Sequence, residues 1–98
     1  MKVYLSERRI GDDVIIAICD EEILGKTFRE GDLKLEVKKD FYGGRLVPVE
    51  DGLKAIERGT IVNLVGNVII SKAVEAGLIP AEGVIKIQGV AHAQKIIL

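Results

Sequence analysis

The 98-residue chain is 48% hydrophobic, so it can bury one core but not two, and we expect a single domain over residues 1–98. Fourteen basic and fifteen acidic residues give a net charge of −1, which excludes a strongly basic or acidic protein and confines any basic surface to a local patch. The single cysteine excludes an internal disulfide, and without a signal peptide or an apolar run of bilayer length we expect a cytoplasmic protein with no membrane partner.

Three β-strands are predicted in the first half of the chain. Residues 2–7 alternate between apolar and polar side chains, which is the period of a half-buried strand. Residues 14–19 are apolar without alternation and mostly β-branched, which favours a strand covered on both faces at the centre of a sheet. Residues 20–32 form a polar connection with apolar contacts to the core, and residues 33–37 alternate again, which predicts a third strand with a charged outer face.

The middle of the chain predicts a loop, a short strand and a short helix. The loop covers residues 39–45, contains two adjacent glycines and precedes a short strand at residues 46–47. A helix is then predicted over residues 50–58, because its apolar residues are spaced for one inward face and Gly59 can end it.

A long helix is predicted over residues 60–77, directly after the short one. Thr60 is a favourable N-cap, and Gly77 followed by Pro80 is a stop signal. The β-branched residues at the start of this segment favour a strand. Eighteen residues without a turn signal nevertheless exceed the usual strand length of about five or six, so length decides for the helix.

Two further strands are predicted over residues 84–88 and 94–98, joined by a link at residues 89–93. Strands at both ends of the chain with helices between them are typical of an α+β fold. The sequence therefore predicts a two-layer sandwich, in which two consecutive helices cover one face of a mixed or antiparallel sheet.

Four segments of the chain are similar to those of a known family. In sequence letters they are CDEEILGK at residues 19–26, FYGG at 41–44, NLVG at 63–66 and GVAHAQ at 89–94. In this order and spacing they resemble the archaeal family called domain of unknown function 424, over essentially the whole chain. The resemblance implies an archaeal cytoplasmic protein with an α+β fold and no established activity, and a link to translation or RNA is attached to the family. This chain has Ala91 where a proline often precedes the histidine, so that turn lacks a rigid residue.

A loop with cations and aromatic rings is the first candidate binding site. Proteins that bind single-stranded RNA combine phosphate attraction with base stacking, and residues 38–45 supply both kinds of group around a Gly-Gly turn. The predicted RNA or partner contacts are Lys38, Lys39, Tyr42 and Arg45. The alternative is that Phe41 and Tyr42 close the core while the lysines are only solvated, because nearby acidic residues weaken the positive field.

A polar cluster is the second candidate site, and its members are Asp20, Asn63, His92 and Gln94. Asn63 lies in the predicted apolar helix, where an amide without a hydrogen-bond partner is unfavourable. Its amide therefore either bonds the backbone of a neighbouring loop or faces a pocket together with His92 and Gln94.

Cys19 and His92 are the weak candidates for catalysis, as a thiolate–imidazole pair oriented by Asn63 or Asp20. The alternative for Cys19 is a buried filler at the end of an apolar strand. A lone histidine cannot assemble the usual three or four ligands of a zinc site, so no metal and no other cofactor is expected.

These residues favour a small non-catalytic binding or adaptor domain, associated with RNA, the ribosome or translation. The first alternative is a protein-interaction module that pairs through an exposed strand edge, including pairing with a second copy, because residues 95–98 carry little charge to block it. The second alternative is a hydrolase or transferase that uses Cys19 and His92.

Overall fold

The computed structural model describes residues 1–98 and contains eight strands and three α-helices. The strands are β1 (Lys2–Ile10), β2 (Asp13–Asp20), β3 (Thr27–Glu30), β4 (Leu33–Glu36), β5 (Arg45–Pro48), β6 (Ile61–Val65), β7 (Ile85–Ile87) and β8 (Val90–Ile96). The helices are α1 (Lys39–Tyr42), α2 (Val49–Arg58) and α3 (Asn67–Glu75). Single 3₁₀ turns lie at Glu21–Ile23 and Ala81–Gly83. None of the helices is both long and apolar enough to cross a membrane.

Six strands form one mixed sheet in the order β5-β1-β2-β6-β8-β7. Neighbouring strands run antiparallel except β2 and β6, which run parallel. The apolar run of β2 explains its position between β1 and β6. Val14, Ile16 and Ile18 are buried on one face, and Ala17 and Cys19 are buried on the other. The predicted central strand is therefore confirmed.

Helices α2 and α3 lie on the same face of the sheet and form the larger core with it. This first core consists of 17 buried aliphatic residues: Val3, Leu5, Val14, Ile16, Ile18, Val47, Val49, Ala55, Ile56, Val62, Leu64, Ile69, Ile70, Ala73, Ile79, Ala91 and Ala93. The helical spacing of Val49, Ala55 and Ile56 turns one side of α2 towards the sheet, as the short-helix prediction requires. A mixed sheet with its main helices on one face confirms the predicted α+β fold.

The other face of the sheet is covered by α1 and by a separate hairpin of β3 and β4. The second core lies there and consists of seven buried residues: Ala17, Cys19, Leu35, Val37, Tyr42, Val65 and Ile87. Leu35 and Val37 are buried while the charged residues beside them are exposed, as the alternation predicts, but Leu33 at the start of the strand is 52% exposed. The predicted polar connection over residues 20–32 also contains strand β3, whose Phe28 packs against the second core. Helix α1 and the β3–β4 hairpin therefore form a third layer, which the two-layer prediction does not include.

The predicted long helix is wrong in its N-terminal half, because residues 61–65 form strand β6. The β-branched residues there follow their own preference, and β6 is buried between β2 and β8. The helix begins only at Asn67, so a strand separates α2 from α3. The predicted stop is right, since α3 ends at Glu75 and Gly77 follows with a φ of +74°.

Thr60 and Gly66 show why this segment divides into a strand and a helix. The Thr60 hydroxyl accepts from the Val14 N–H at 2.8 Å, so it ties the start of β6 to β2 and does not cap a helix. Gly66 has a φ of +124°, which strains any residue with a side chain, and a Cβ there would overlap the Asp20 carboxylate. The chain therefore turns from strand to helix at this glycine.

The last two strands lie closer together along the chain than predicted. Gln88 and Gly89 have φ values of 54° and 78°, as in the two-residue type I′ turns that join antiparallel strands. Strand β8 then begins at Val90, so the predicted link over residues 89–93 is wrong. As a result, His92 lies within a strand at a fixed register beside β6.

Candidate nucleic-acid interface

The predicted RNA-contact residues lie on two different faces of the sheet. Lys38 and Lys39 are exposed at α1, on the face of the second core. Arg45 is exposed in β5 and pairs with Leu5, a member of the first core, so its side chain lies on the side of α2. The three cations therefore do not form one surface.

Tyr42 requires a correction to the predicted contact set. It is only 5% exposed and belongs to the second core, together with Cys19 and Val37. Burial raises the pKa of its hydroxyl to about 12, with a smaller contribution from Cys19. Because the large apolar ring is more stable in the core than in water, Tyr42 is not available to stack on a base. The core-closing alternative is the correct one for this residue.

Phe41 is partly buried and its ring is engaged by neighbours. The rings of Phe41 and Tyr42 meet edge-on with centroids 5.0 Å apart. The Arg8 guanidinium lies 6.0 Å from the Phe41 centroid and donates a hydrogen bond to the carbonyl of Asp40. Recognition by this loop would consequently depend on charge and not on stacking.

A cavity of about 210 Å³ opens at the junction of β1, β5 and α2. The side chains that line it are Leu5, Arg45, Val47, Asp51, Lys54 and Arg58. The three α2 residues lie on one side of the helix because they are three and four positions apart. Three cations and one carboxylate thus surround one concave space.

An ion pair and a close backbone approach position the walls of this cavity. Arg58 donates to the Glu7 carboxylate at 2.8 Å, which ties the end of α2 to β1. Gly44 allows the chain to pass close to β1 before Arg45, because a Cβ there would collide with the carbonyl of Leu5. Arg58 is the only one of the three cations with an ion-pair partner.

The sequence analysis identifies Arg45 but misses Asp51, Lys54 and Arg58. Their spacing is a usable signal, since it marks a polar side on the predicted short helix. The sequence does not reveal that β5 pairs with the start of β1 and so places Arg45 beside that side of α2.

Asn63 and Gln94 make the one side-chain hydrogen bond within the predicted polar cluster. They are direct cross-strand neighbours, and the Gln94 amide donates to Asn63 Oδ1 at 2.5 Å. The hydrogen-bond partner of Asn63 Oδ1 is therefore a side chain and not the backbone of a loop. His92 lies two residues before Gln94, opposite Val65, and burial lowers the pKa of its imidazole. Neither cavity of the structure is lined by these residues.

Asp20 does not belong to this cluster, because its side chain lies on the opposite face of the sheet. Its carboxylate oxygens accept from the backbone N–H groups of Val68 and Ile69 at 2.9 and 3.0 Å. Burial raises the pKa of this carboxyl, and the two hydrogen bonds act against that rise. Its role is structural, as a cap for α3 that a neighbouring strand supplies.

The predicted Cys19–His92 pair does not form. Cys19 lies opposite Val65 and Val65 lies opposite His92, so strand β6 separates the thiol from the imidazole. Cys19 is fully buried, and burial together with the charge of Asp20 raises its thiol pKa to about 12. Such a thiol is protonated at neutral pH, so the thiolate–imidazole pair of the catalytic hypothesis is absent. No group of three or more His, Cys, Asp or Glu side chains converges to hold a metal ion.

A larger groove of about 510 Å³ lies between α3 and the edge strand β7. It is lined by Asn67, Ile70, Ser71, Val74, Ala81, Val84, Lys86 and Ala91. The Asn67 amide is already engaged, because it donates to the Gly89 carbonyl at 3.0 Å and accepts from the Ala91 N–H at 2.9 Å. With one cation among mostly apolar walls, the groove lacks the charge density of the smaller cavity.

Comparisons with known proteins identify a family and a shared fold. The sequence profile of the family described as Protein of unknown function (DUF424) matches residues 8–98. The crystal structure of an uncharacterized conserved protein from Methanopyrus kandleri is similar, with a TM-score of 0.83 and 28% sequence identity, over 100% of this chain and 93% of that chain. No curated protein matches. The family match confirms the resemblance found in the sequence, and the solved relative is archaeal.

Proposed function

We propose that this chain, which belongs to the DUF424 family, binds RNA through phosphate contacts in the cavity between β1, β5 and α2. The observation that carries the proposal is the convergence of Arg45, Lys54 and Arg58 on one cavity of about 210 Å³. Lysine and arginine side chains match the charge of a phosphate, and a planar guanidinium can donate two parallel hydrogen bonds to it.

The local charge of the cavity matters more for this function than the net charge of −1. Exposed charges act over a Debye length of about 10 Å at moderate salt. Glu7 neutralises Arg58, so Arg45 and Lys54 are the cations that outweigh Asp51 within the cavity. The other acids of α2, Glu50 and Glu57, do not line the cavity. An approaching nucleic acid therefore meets a positive surface on a slightly acidic protein.

Phosphate contact, and not base stacking, is the kind of recognition that the geometry supports. Tyr42 is buried and Phe41 is engaged by its neighbours, so the loop offers no aromatic platform. Each phosphate contact releases counterions from the nucleic acid. We therefore expect the affinity for RNA to fall steeply as the salt concentration rises.

We propose that this binding occurs in the cytoplasm and that the ligand is an RNA of the translation apparatus. The family resemblance supports the link to translation, and the free, buried thiol of Cys19 is suited to a reducing compartment. The protein should therefore sediment with ribosomes at low salt and leave them at high salt. A protein that stays in the ribosome-free fractions at low salt contradicts the ribosomal part of the proposal.

The test of the cavity is a pair of matched charge reversals. Arg45→Glu with Lys54→Glu removes two cations from the cavity, and Lys38→Glu with Lys39→Glu makes the same charge change at α1. Fluorescence anisotropy with a single-stranded RNA should show a loss of affinity of about 100-fold for the first variant and under about threefold for the second. Equal losses would refute the cavity as the site, and circular dichroism confirms that both variants are folded.

A second candidate function is pairing with another copy of the chain through an exposed strand edge. Strand β7 covers β8 only from Val90 to His92, so the rest of that β8 edge has no neighbouring strand. Ile96 and Ile97 are 60% and 52% exposed beside it. We expect dimers that resist salt in sedimentation equilibrium and that Ile96→Lys abolishes. A chain that is monomeric at every concentration contradicts this candidate.

A further inference from the structure

We infer that the same cavity distinguishes RNA from DNA, because Asp51 accepts a hydrogen bond from a ribose 2′-hydroxyl. The inference rests on the proposed function, since it names the sugar that accompanies the bound phosphate. Asp51 is the only carboxylate among the six residues that line the cavity. The negative charge favours the first turn of α2, and it also places a hydrogen-bond acceptor in a cavity whose other charged side chains are cations.

The size of the cavity fits one unit of a polymer. Pockets that enclose a whole small ligand measure about 300–1,000 Å³, whereas this cavity measures about 210 Å³. A sugar–phosphate unit that continues into the rest of a nucleic acid needs only partial enclosure. Leu5 and Val47 are almost fully buried, so the unit contacts mainly the polar side chains of the cavity, and Arg45 and Lys54 are present there without ion-pair partners to bind the phosphate.

The carboxylate of Asp51 is free to accept a hydrogen bond. The two ion pairs of the structure are Lys34–Glu36 and Glu7–Arg58, and Asp51 is itself exposed. An ionised carboxylate only accepts hydrogen bonds, and a ribose hydroxyl can donate one. Such a bond to a charged acceptor is about twice as strong as one between neutral groups.

DNA gains nothing from the same carboxylate. Asp51 lowers the positive field that attracts every phosphate, and a deoxyribose has no hydroxyl to donate in return. Lys54 and Arg58 follow Asp51 at intervals of about one helical turn, so one side of α2 can contact a sugar and the phosphates next to it. The cavity should therefore prefer RNA.

The experiment compares three single-stranded ligands on the native chain: an oligouridylate, the matching oligodeoxyuridylate and the matching 2′-O-methyl oligouridylate. Anisotropy should show that the oligouridylate binds about tenfold more tightly than either of the others. The methylated ligand keeps a ribose ring but has no hydroxyl to donate. Equal binding of the methylated and unmodified ligands would overturn the role of donation.

Asp51→Ala tests the residue, and Glu50→Ala is its matched control. Both changes remove one acid from the first turn of α2, but only Asp51 lines the cavity. We expect Asp51→Ala to reduce the preference for RNA to under about twofold without weakening DNA binding, and Glu50→Ala to retain the preference. If the Asp51→Ala variant retains the native preference of about tenfold for RNA over DNA, the assignment is refuted.

The outcomes separate this inference from the function on which it rests. If RNA and DNA bind the native chain equally and with a steep salt dependence, phosphate binding stands and the role of Asp51 is refuted. If no ligand binds at low salt, both proposals fail. Because the comparison of ligands uses the native chain, it decides the question even where a variant does not fold.

Discussion

The two faces of the sheet differ in how they are covered and in what lies beside them. The face under α2 and α3 buries 17 aliphatic residues, whereas the face under α1 and the β3–β4 hairpin buries seven. The smaller core also contains a thiol and a phenol, Cys19 and Tyr42. The difference teaches that most of the buried apolar side chains lie on the helical face, and that the cationic cavity lies at the rim of this larger core.

The largest expected effect comes from removing one large side chain from each face. Ile56 is fully buried in the first core, so Ile56→Ala should lower the free energy of unfolding by about 3–4 kcal/mol. Leu35 is 7% exposed in the second core, and Leu35→Ala should lower it by only about 2 kcal/mol. Urea unfolding followed by circular dichroism measures both values. If the two losses are equal, the two faces contribute equally to the free energy of unfolding, and the proposed difference between them is wrong.

The next effect concerns Gly66, where the sheet passes into the helical layer. Gly66→Ala strains a residue with a φ of +124° and pushes against the Asp20 carboxylate that caps α3, so we expect a loss of about 2–3 kcal/mol. Gly77→Ala is the control, because Gly77 has a φ of +74° but no atom within 4 Å of an added Cβ. It should lose about 1 kcal/mol. Identical melting temperatures for the two variants would show that the collision with Asp20 has no effect.

The smallest effect concerns His92 on the less covered face. Burial lowers its pKa from the ordinary value of 6.5, so the unfolded chain binds the proton more readily than the folded protein. The contribution of this residue to stability is therefore complete above pH 6.5 and is lost as the pH falls from 6.5 through the lowered pKa. His92→Gln should remove this part of the pH dependence. Unfolding free energies on both sides of pH 6.5 measure it, and an unchanged slope in the variant contradicts the assignment.

The fold class can be predicted from the sequence because the strands β1 and β2 carry clear patterns, but the helical layer is harder to delimit. Three of the five residues at 61–65 are β-branched, and buried side chains lie on both faces of the strand, so their pattern cannot distinguish a strand from a buried helix. Segment length then favours a helix, and this rule fails because Gly66 divides the apolar run into two elements. A glycine inside such a run is therefore a better boundary signal than the length of the run.

The candidate site is harder to predict because its walls come from distant parts of the chain. Leu5, Arg45 and Lys54 reach one cavity only through the pairing of β1 with β5 and the packing of α2. Lys39 is near Arg45 in sequence, yet the Gly43–Gly44 turn leaves them on opposite faces of the sheet. Proximity along the chain therefore groups the wrong cations together, while helical spacing within α2 groups the right ones.

The cap that Asp20 provides has a consequence for the order of folding. Asp20 and Val68 are 48 residues apart in the chain, and their hydrogen bond requires β2 and β6 to have met as parallel neighbours. Closing a segment of that length is slow compared with forming local turns. Before it closes, α3 is a nine-residue helix without an N-terminal cap, which is too short to persist in water. Helix α3 is accordingly a product of sheet assembly and not its starting point.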